Sequence, residues 1–197
     1  MKIYDITQEL FSSVVFPGDP SPRGRRLASI SEGDLCNVTE LSMCAHNGTH
    51  IDAPCHFIEG GAAIDEIPLE STVGECFVTH FDGTVTEADA VGILETAKSF
   101  GDEAAKRILI GGRATVSEEA AQIFADSGIL LIGNESQTVG PEDAPMSTNL
   151  ILLGAGVILL EGVRLGQVPK GRYLLFASPL LLSGSDGSPC RAVLLEI

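Results

Sequence analysis

The chain has 197 residues, 44% hydrophobic and 20% charged, with 22 Gly and 10 Pro. That is the make-up of a globular α/β or α+β protein with many tight turns, and it excludes a disordered or fibrous one. Its 27 acidic against 12 basic residues leave a formal charge of −15, which repels phosphate backbones and anionic membranes, so neither nucleic acid nor membrane is an expected partner.

The length suits one domain, 1–197, by the usual range of roughly 100–200 residues. The first residues carry acids where a signal peptide needs an apolar region, so a cytoplasmic location is the default. The longest apolar stretch, residues 150–160, is broken by glycines and falls well short of the roughly twenty that cross a bilayer. Cys36, Cys44, Cys55, Cys76 and Cys190 are odd in number and form no C-x-x-C pair. Free and mostly buried thiols are expected, with no disulfide framework or zinc ribbon.

In chain order, period-2 and β-branched patterns predict strands over residues 3–6, 26–30 and 38–45. The basic stretch Arg23, Arg25 and Arg26 before them reads as a solvated loop. Further strands are expected at 76–81, 107–110, 129–132, 157–160, 173–177 and 191–195. Between these lie three predicted helices. One covers 87–100, opened by Thr86 and Asp89 as a capping box, and the next covers 118–127, capped by Ser117 and ended by Gly128. A third, short helix covers 147–153 and closes at Gly154 to Gly156. Strands and loops fill the first 85 residues, and strand and helix alternate afterwards. The reading is an α/β single domain, a mixed sheet or small barrel flanked by helices.

Three of the four histidines, His46, His50 and His56, stand within eleven residues of one another around Asp52. Imidazole and carboxylate are the donors of a catalytic divalent ion, which needs three protein ligands and one open position. On a straight strand the Cα atoms of His46 and His50 would lie about 13 Å apart, too wide for chelation. A helix is opposed by Gly48, Thr49, Ile51 and Pro54. A bend at Gly48 resolves the conflict, after which His50 and Asp52 alternate onto one face. Pro54 is read as keeping the chain extended, so that His56 also points to that face as general base and acid. Thr49 either orients the loop or bonds to backbone. A structural zinc employing Cys44 or Cys55 is the competing reading, and His80, alone in a strand, reads as a satisfied surface or core histidine.

The segment HNGTHIDAPCHF resembles the His-x-Gly-Thr-His-x-Asp-x-Pro-x-His motif of the cyclase family, which includes bacterial kynurenine formamidases and isatin hydrolases. VVFPGDPSP, NVTELSM, AAIDEIPLES, LLGAGVILLEG, VPKGRYLL and GSDGSPCRAVL follow the same family order. The resemblance implies a swivelling β/β/α fold, a homo-oligomer (dimer or tetramer) and a metal-dependent amidohydrolase acting on a small-molecule amide, as in tryptophan catabolism. It implies His46, His50 and Asp52 as ligands of a zinc or manganese ion and His56 as the catalytic histidine. In the formamidases a second ion uses the shared aspartate, a histidine and a glutamate. Here Glu161 stands at the glutamate position and Asn149 at the histidine position, and an amide is a poorer zinc ligand than imidazole. GNESQT, residues 133–138, also departs from the family's GxDxxS, with Glu135 and Thr138 in place of aspartate and serine.

The leading expectation is hydrolysis of a formamide carbonyl by metal-activated water, with His56 relaying the proton and Glu161 binding metal or water. Glu161 otherwise reads as a strand-end acid facing solvent. Phe16 and Phe57 are read as an apolar wall for the substrate, and Asn149 as a further substrate contact. The rival readings are a cyclic-amide hydrolase of the isatin type and a non-catalytic metal- or small-molecule-binding protein.

Overall fold

The computed structural model describes all 197 residues. Along the chain run β1 (Ile3–Asp5), β2 (Arg23–Ala28), β3 (Val38–Ser42), β4 (His50–Asp52), the single turn α1 (Leu69–Thr72), β5 (Val73–His80) and β6 (Gly83–Val85). There follow α2 (Glu87–Ser99), β7 (Arg107–Gly111), β8 (Ala114–Val116), α3 (Glu118–Asp126), β9 (Leu131–Asn134) and α4 (Met146–Gly154). β10 (Ile158–Glu161), β11 (Gly171–Phe176), β12 (Gly187–Pro189) and β13 (Val193–Glu196) complete it.

Nine strands form one mixed sheet in the order β1-β13-β11-β5-β7-β9-β10-β4-β12. The four central strands, β5, β7, β9 and β10, are parallel, and every other pairing within this sheet is antiparallel. Parallel neighbours need crossovers, and α2, α3 and α4 supply them. The expected starts hold: Thr86 and Asp89 form a reciprocal capping box at α2, and the Ser117 hydroxyl accepts from Ala120 N at 3.2 Å.

Alternation along the central strands feeds two cores. Phe77, Ile108, Ile110, Ile132 and Leu159 pack against Ala90, Leu94, Phe124, Leu152 and Leu153 of the helices. Their neighbours Val78, Leu109, Leu131, Ile158 and Leu160 point the other way, into a core shared with Ile6, Ile51 and Leu194. Ile6 and Ile51 come from opposite ends of the strand order, so the sheet must curl to let them meet. Hydrogen bonds seal that closure: Arg164 N to Ile6 O at 2.8 Å, and Gln8 N to the Thr49 hydroxyl at 2.9 Å. The expected mixed sheet is thus a curled one with its helices on one side.

The differences are local. Arg23–Ala28 is a strand, where a loop was expected for its first half, because it pairs with β3 as a separate hairpin that is exposed along nearly its whole length. β3 stops at Ser42, three residues early, and frees the chain to turn towards His46. β4, β6, β8 and β12 are three residues each, too short to show a period. Cys76 alone of the five thiols is buried, while Cys36 is exposed and the other three are intermediate, which corrects the expectation of mostly buried thiols. His80 is exposed, its Nε2 donating to Val168 O at 2.7 Å.

Candidate metal centre

β4 lies between β10 and β12, and register decides what meets there. His50 is opposite Glu161, and Asp52 is opposite Leu159 on one side and Gly187 on the other. Parity therefore sets His50, Asp52 and Glu161 on the helix-facing side with Leu159, while Ile51 enters the second core. All three polar groups are buried to within 2% exposure.

The bend falls where sequence places it. Gly48 has φ +71°, and its carbonyl accepts from His50 Nδ1 at 3.0 Å. That bond fixes the proton on Nδ1 and turns Nε2 towards the carboxylates, 3.3 Å from Asp52 Oδ1 and 3.4 Å from Glu161 Oε2. The other Glu161 oxygen accepts from Val139 N at 2.9 Å. Thr49 bonds to backbone, its hydroxyl donating to Gly162 O at 2.8 Å.

His46, ahead of the bend, presents Nδ1 to Asp52 Oδ1 at 2.8 Å and Nε2 to Asp186 Oδ2 at 2.9 Å. Gly187 makes room for this ring, since a Cβ there would lie 2.7 Å from His46 Cε1. Pro54 opens a single helical turn to His56, a position suited to its fixed φ, so the chain is not extended as expected. The turn stacks the His56 ring on His46, centroids 4.0 Å apart, with His56 Nδ1 3.3 Å from the same Asp186 oxygen.

Charge accounts for the protonation of this group. Burial pulls His50 down, but hydrogen bonds to Asp52 and Glu161 outweigh it and lift its pKa to about 10. Burial also works against the charged form of His46, and Asp52 and Asp186 again raise it. Asp52 is lowered because the two histidines overcome its burial. Glu161 is raised by burial and by repulsion from Asp52. Asp186 is lowered, with His46 outweighing its partial burial. His56 alone among the three histidines is lowered, by burial first, which favours the neutral base.

Ligand atoms of His46, His50 and Asp52 lie within 4.8 Å of one another, and so do those of His46, His56 and Asp186. A small cavity of about 200 Å³ adjoins them, walled by Phe16, Phe57 and Asn149 together with His46, His56, Asp19, Gln137 and Thr138. Asn149 is buried and engaged: its Oδ1 accepts from Gly140 N, and its Nδ2 donates to Thr138 Oγ1, both at 3.3 Å. Glu161 does not face solvent. His46, His50, His56, Asp52 and Glu161 are thus brought together, with Phe16, Phe57 and Asn149 around the adjoining cavity, whereas His80 and Glu135 lie elsewhere. Asp186 is the residue that sequence reasoning missed: it lies 130 positions from His56, and its signal was an acid within GSDGSPCRAVL, a segment matched to the family with no role given to the acid.

The donor set fits a divalent ion. Asp52 and Glu161 are two buried carboxylates facing the one imidazole nitrogen Nε2 of His50, and they hold a proton there in a place that a divalent cation could take instead. A curled mixed sheet carrying such a centre beside a small cavity defines a hydrolase-type metal site.

The chain belongs to the Cyclase family: the family model described as "Putative cyclase" matches residues 4–141. A kynurenine formamidase of Erythrobacter litoralis (strain HTCC2594) is 32% identical over 210 residues, covering 100% of this chain and 94% of that protein. Among solved structures, a predicted metal-dependent hydrolase from Bacillus stearothermophilus is 31% identical with a TM-score of 0.80, covering 98% of this chain and 97% of the other. Isatin hydrolase A from Labrenzia aggregata has the same fold, with a TM-score of 0.83 at 24% identity, covering 98% and 93%.

Proposed function

We propose that this protein is a metal-dependent hydrolase of a formamide carbon–nitrogen bond, similar in activity to the kynurenine formamidases it resembles, and so suited to a step of tryptophan breakdown. One observation carries the reading: His50 Nε2 faces Asp52 and Glu161, Asp52 is bonded to His46, and His46 and His56 line the adjoining cavity. His46, His50 and Asp52, with Glu161, would hold one zinc or manganese ion, since mixed imidazole and carboxylate donors suit both. When bound, the ion supplies Lewis acidity that polarises a carbonyl and brings the pKa of water to about 7.

The chain's own groups do the rest. Asp186 accepts the Nδ1–H of His56, which leaves Nε2 as the base. Nε2 takes a proton from the attacking water and returns it to the departing nitrogen, so that the C–N bond breaks to formate and an amine. Phe16 and Phe57 offer an apolar wall to an aromatic ring and exclude bulk water. Asn149 is engaged with Thr138 and Gly140, which favours one ion over two and makes it a substrate-side wall.

Residues 1–197 are read as one domain because both cores draw on distant parts of the chain. No helix is long and apolar enough to cross a membrane. Five unpaired cysteines support a reducing, cytoplasmic setting. Leu27, Leu35, Val38 and Leu41 are exposed on and around the β2–β3 hairpin and support a homo-oligomer, dimer or tetramer. A monomeric mass by light scattering would overturn that assembly.

The test of function is hydrolysis of N-formylkynurenine and isatin before and after chelation. Formamide turnover should vanish with the ion and return with zinc or manganese. Undiminished turnover in metal-free protein sinks the mechanism, and preference for isatin moves the assignment to cyclic amides.

A further inference from the structure

The Asp186 carboxylate faces more than the one histidine it orients. Its Oδ2 lies 2.9 Å from His46 Nε2 and 3.3 Å from His56 Nδ1, so a single oxygen meets two imidazole nitrogens. Ligand atoms of the three residues lie within 4.8 Å of one another, on the edge of the His46 ring away from Asp52. Backbone bonds pin the loop beside them: Ala53 N donates to Asp186 O at 3.0 Å, and Ile64 N to Ser185 O at 2.9 Å. Two imidazoles and a carboxylate therefore converge a second time, outside the buried group of His50, Asp52 and Glu161.

The two groups differ in access. His50, Asp52 and Glu161 are sealed from water, whereas Asp186 is half exposed and His56 partly so. An ion at the outer group enters directly from solvent. It is also held less firmly, because a one-turn helix and a loop carry two of its three ligands. The rings of His46 and His56 are stacked at 28°, and His56 borders the cavity, which gives its ring room to tilt towards a shared ion. Two imidazoles among three donors favour zinc or copper over magnesium or calcium.

We propose that His46, His56 and Asp186 form a second, inhibitory site for a zinc-like divalent ion. It is separate from the second ion implied by the family resemblance, which would lie at Asp52, position 149 and Glu161. The outer ion bonds to Asp186 Oδ2, His56 Nδ1 and His46 Nε2. The proton of His56 Nδ1 passes through solvent to Nε2, and that of His46 Nε2 leaves to solvent, so that His46 bridges the inner and outer ions through its two nitrogens. Neutral His56 then has a proton on Nε2 and the ion on Nδ1, with no lone pair left to accept a proton from water. Surplus zinc thus switches off the enzyme that one ion switches on. This consequence rests on the formamidase reading, and the site itself does not.

The test equilibrates protein loaded with one zinc per chain against rising buffered free zinc, reading bound metal and N-formylkynurenine turnover together. A second zinc should bind, and kcat should fall by about 10²-fold or more as it does, the loss of a general base. Turnover should return when free zinc is lowered. Asp186→Asn keeps the shape and replaces the carboxylate by a poorer donor, so it should keep one zinc and hold the second at least about tenfold more weakly. Its own slower turnover should resist zinc over the same range. Asn149→Ala should bind the second zinc as the wild type does.

One zinc per chain at every concentration, or a second held equally well by Asp186→Asn, overturns the site. Loss of the second zinc in Asn149→Ala also overturns it, by placing that ion beside Asp52 and Glu161. A second zinc bound with undiminished kcat overturns the inhibitory role. If the loaded wild type hydrolyses no formamide, the functional reading fails, and the zinc counts of the wild type and the two variants decide the site without it.

Discussion

The two ends of the centre are held in different ways. His50, Asp52 and Glu161 sit on paired strands, with side chains 1–3% exposed and each fixed by a register or backbone bond. His56 and Asp186 sit on a one-turn helix and a loop, with side chains 29% and 50% exposed. Rigid burial suits ligands, because strands cannot relax away from the repulsion of two carboxylates and an ion relieves it. Partial exposure suits a group that must exchange protons with water and substrate. The difference teaches that Gly48 and Pro54 bend one short motif so that His50 and Asp52 are sealed on a strand while His56 stays half-exposed on a helical turn.

The largest effect should come from the sealed end. His50→Ala should lose both metal and turnover, read by metal analysis and hydrolysis together; retained metal would place the ion elsewhere. At the open end, His56→Ala should keep its metal and lose about 10²–10⁴ in kcat. Loss of metal there would erase the distinction between the two ends. Asp186→Asn should be milder, about 10–100-fold, as expected for a group that orients another. An Asp186→Asn enzyme with wild-type kcat would release His56 from its assigned partner.

The smallest signal is a proton count. His50, raised to about 10, carries its proton in the metal-free protein at pH 7, below that folded pKa and above the usual histidine value. An incoming ion must displace it, so titrating metal into weakly buffered metal-free protein should release at least one proton per ion, with His46 and Glu161, both raised, adding to it. Binding without proton release would show that the nitrogen was already free.

Much of this was legible before any fold was known. The three histidines and Asp52 are adjacent in sequence, and the strand rise alone demanded the bend that Gly48 makes at φ +71°. Caps at Thr86 and Ser117 are local chemistry and appear as expected. The three-residue strands β4 and β12 were not legible, because they are set by their partners and not by any pattern of their own. Pro54 was misjudged for a similar reason: proline suits both an extended chain and the first residue of a helix, and the turn to His56 chose the second.

By itself, then, the sequence determined the histidine cluster around Asp52, the bend and the helices, all of which depend on residues near one another in the chain. Only the tertiary structure decided that Glu161 faces His50 and that Asp186 bridges His46 and His56. Those contacts depend on strand register and on the curl that brings distant loops together, which no local pattern encodes.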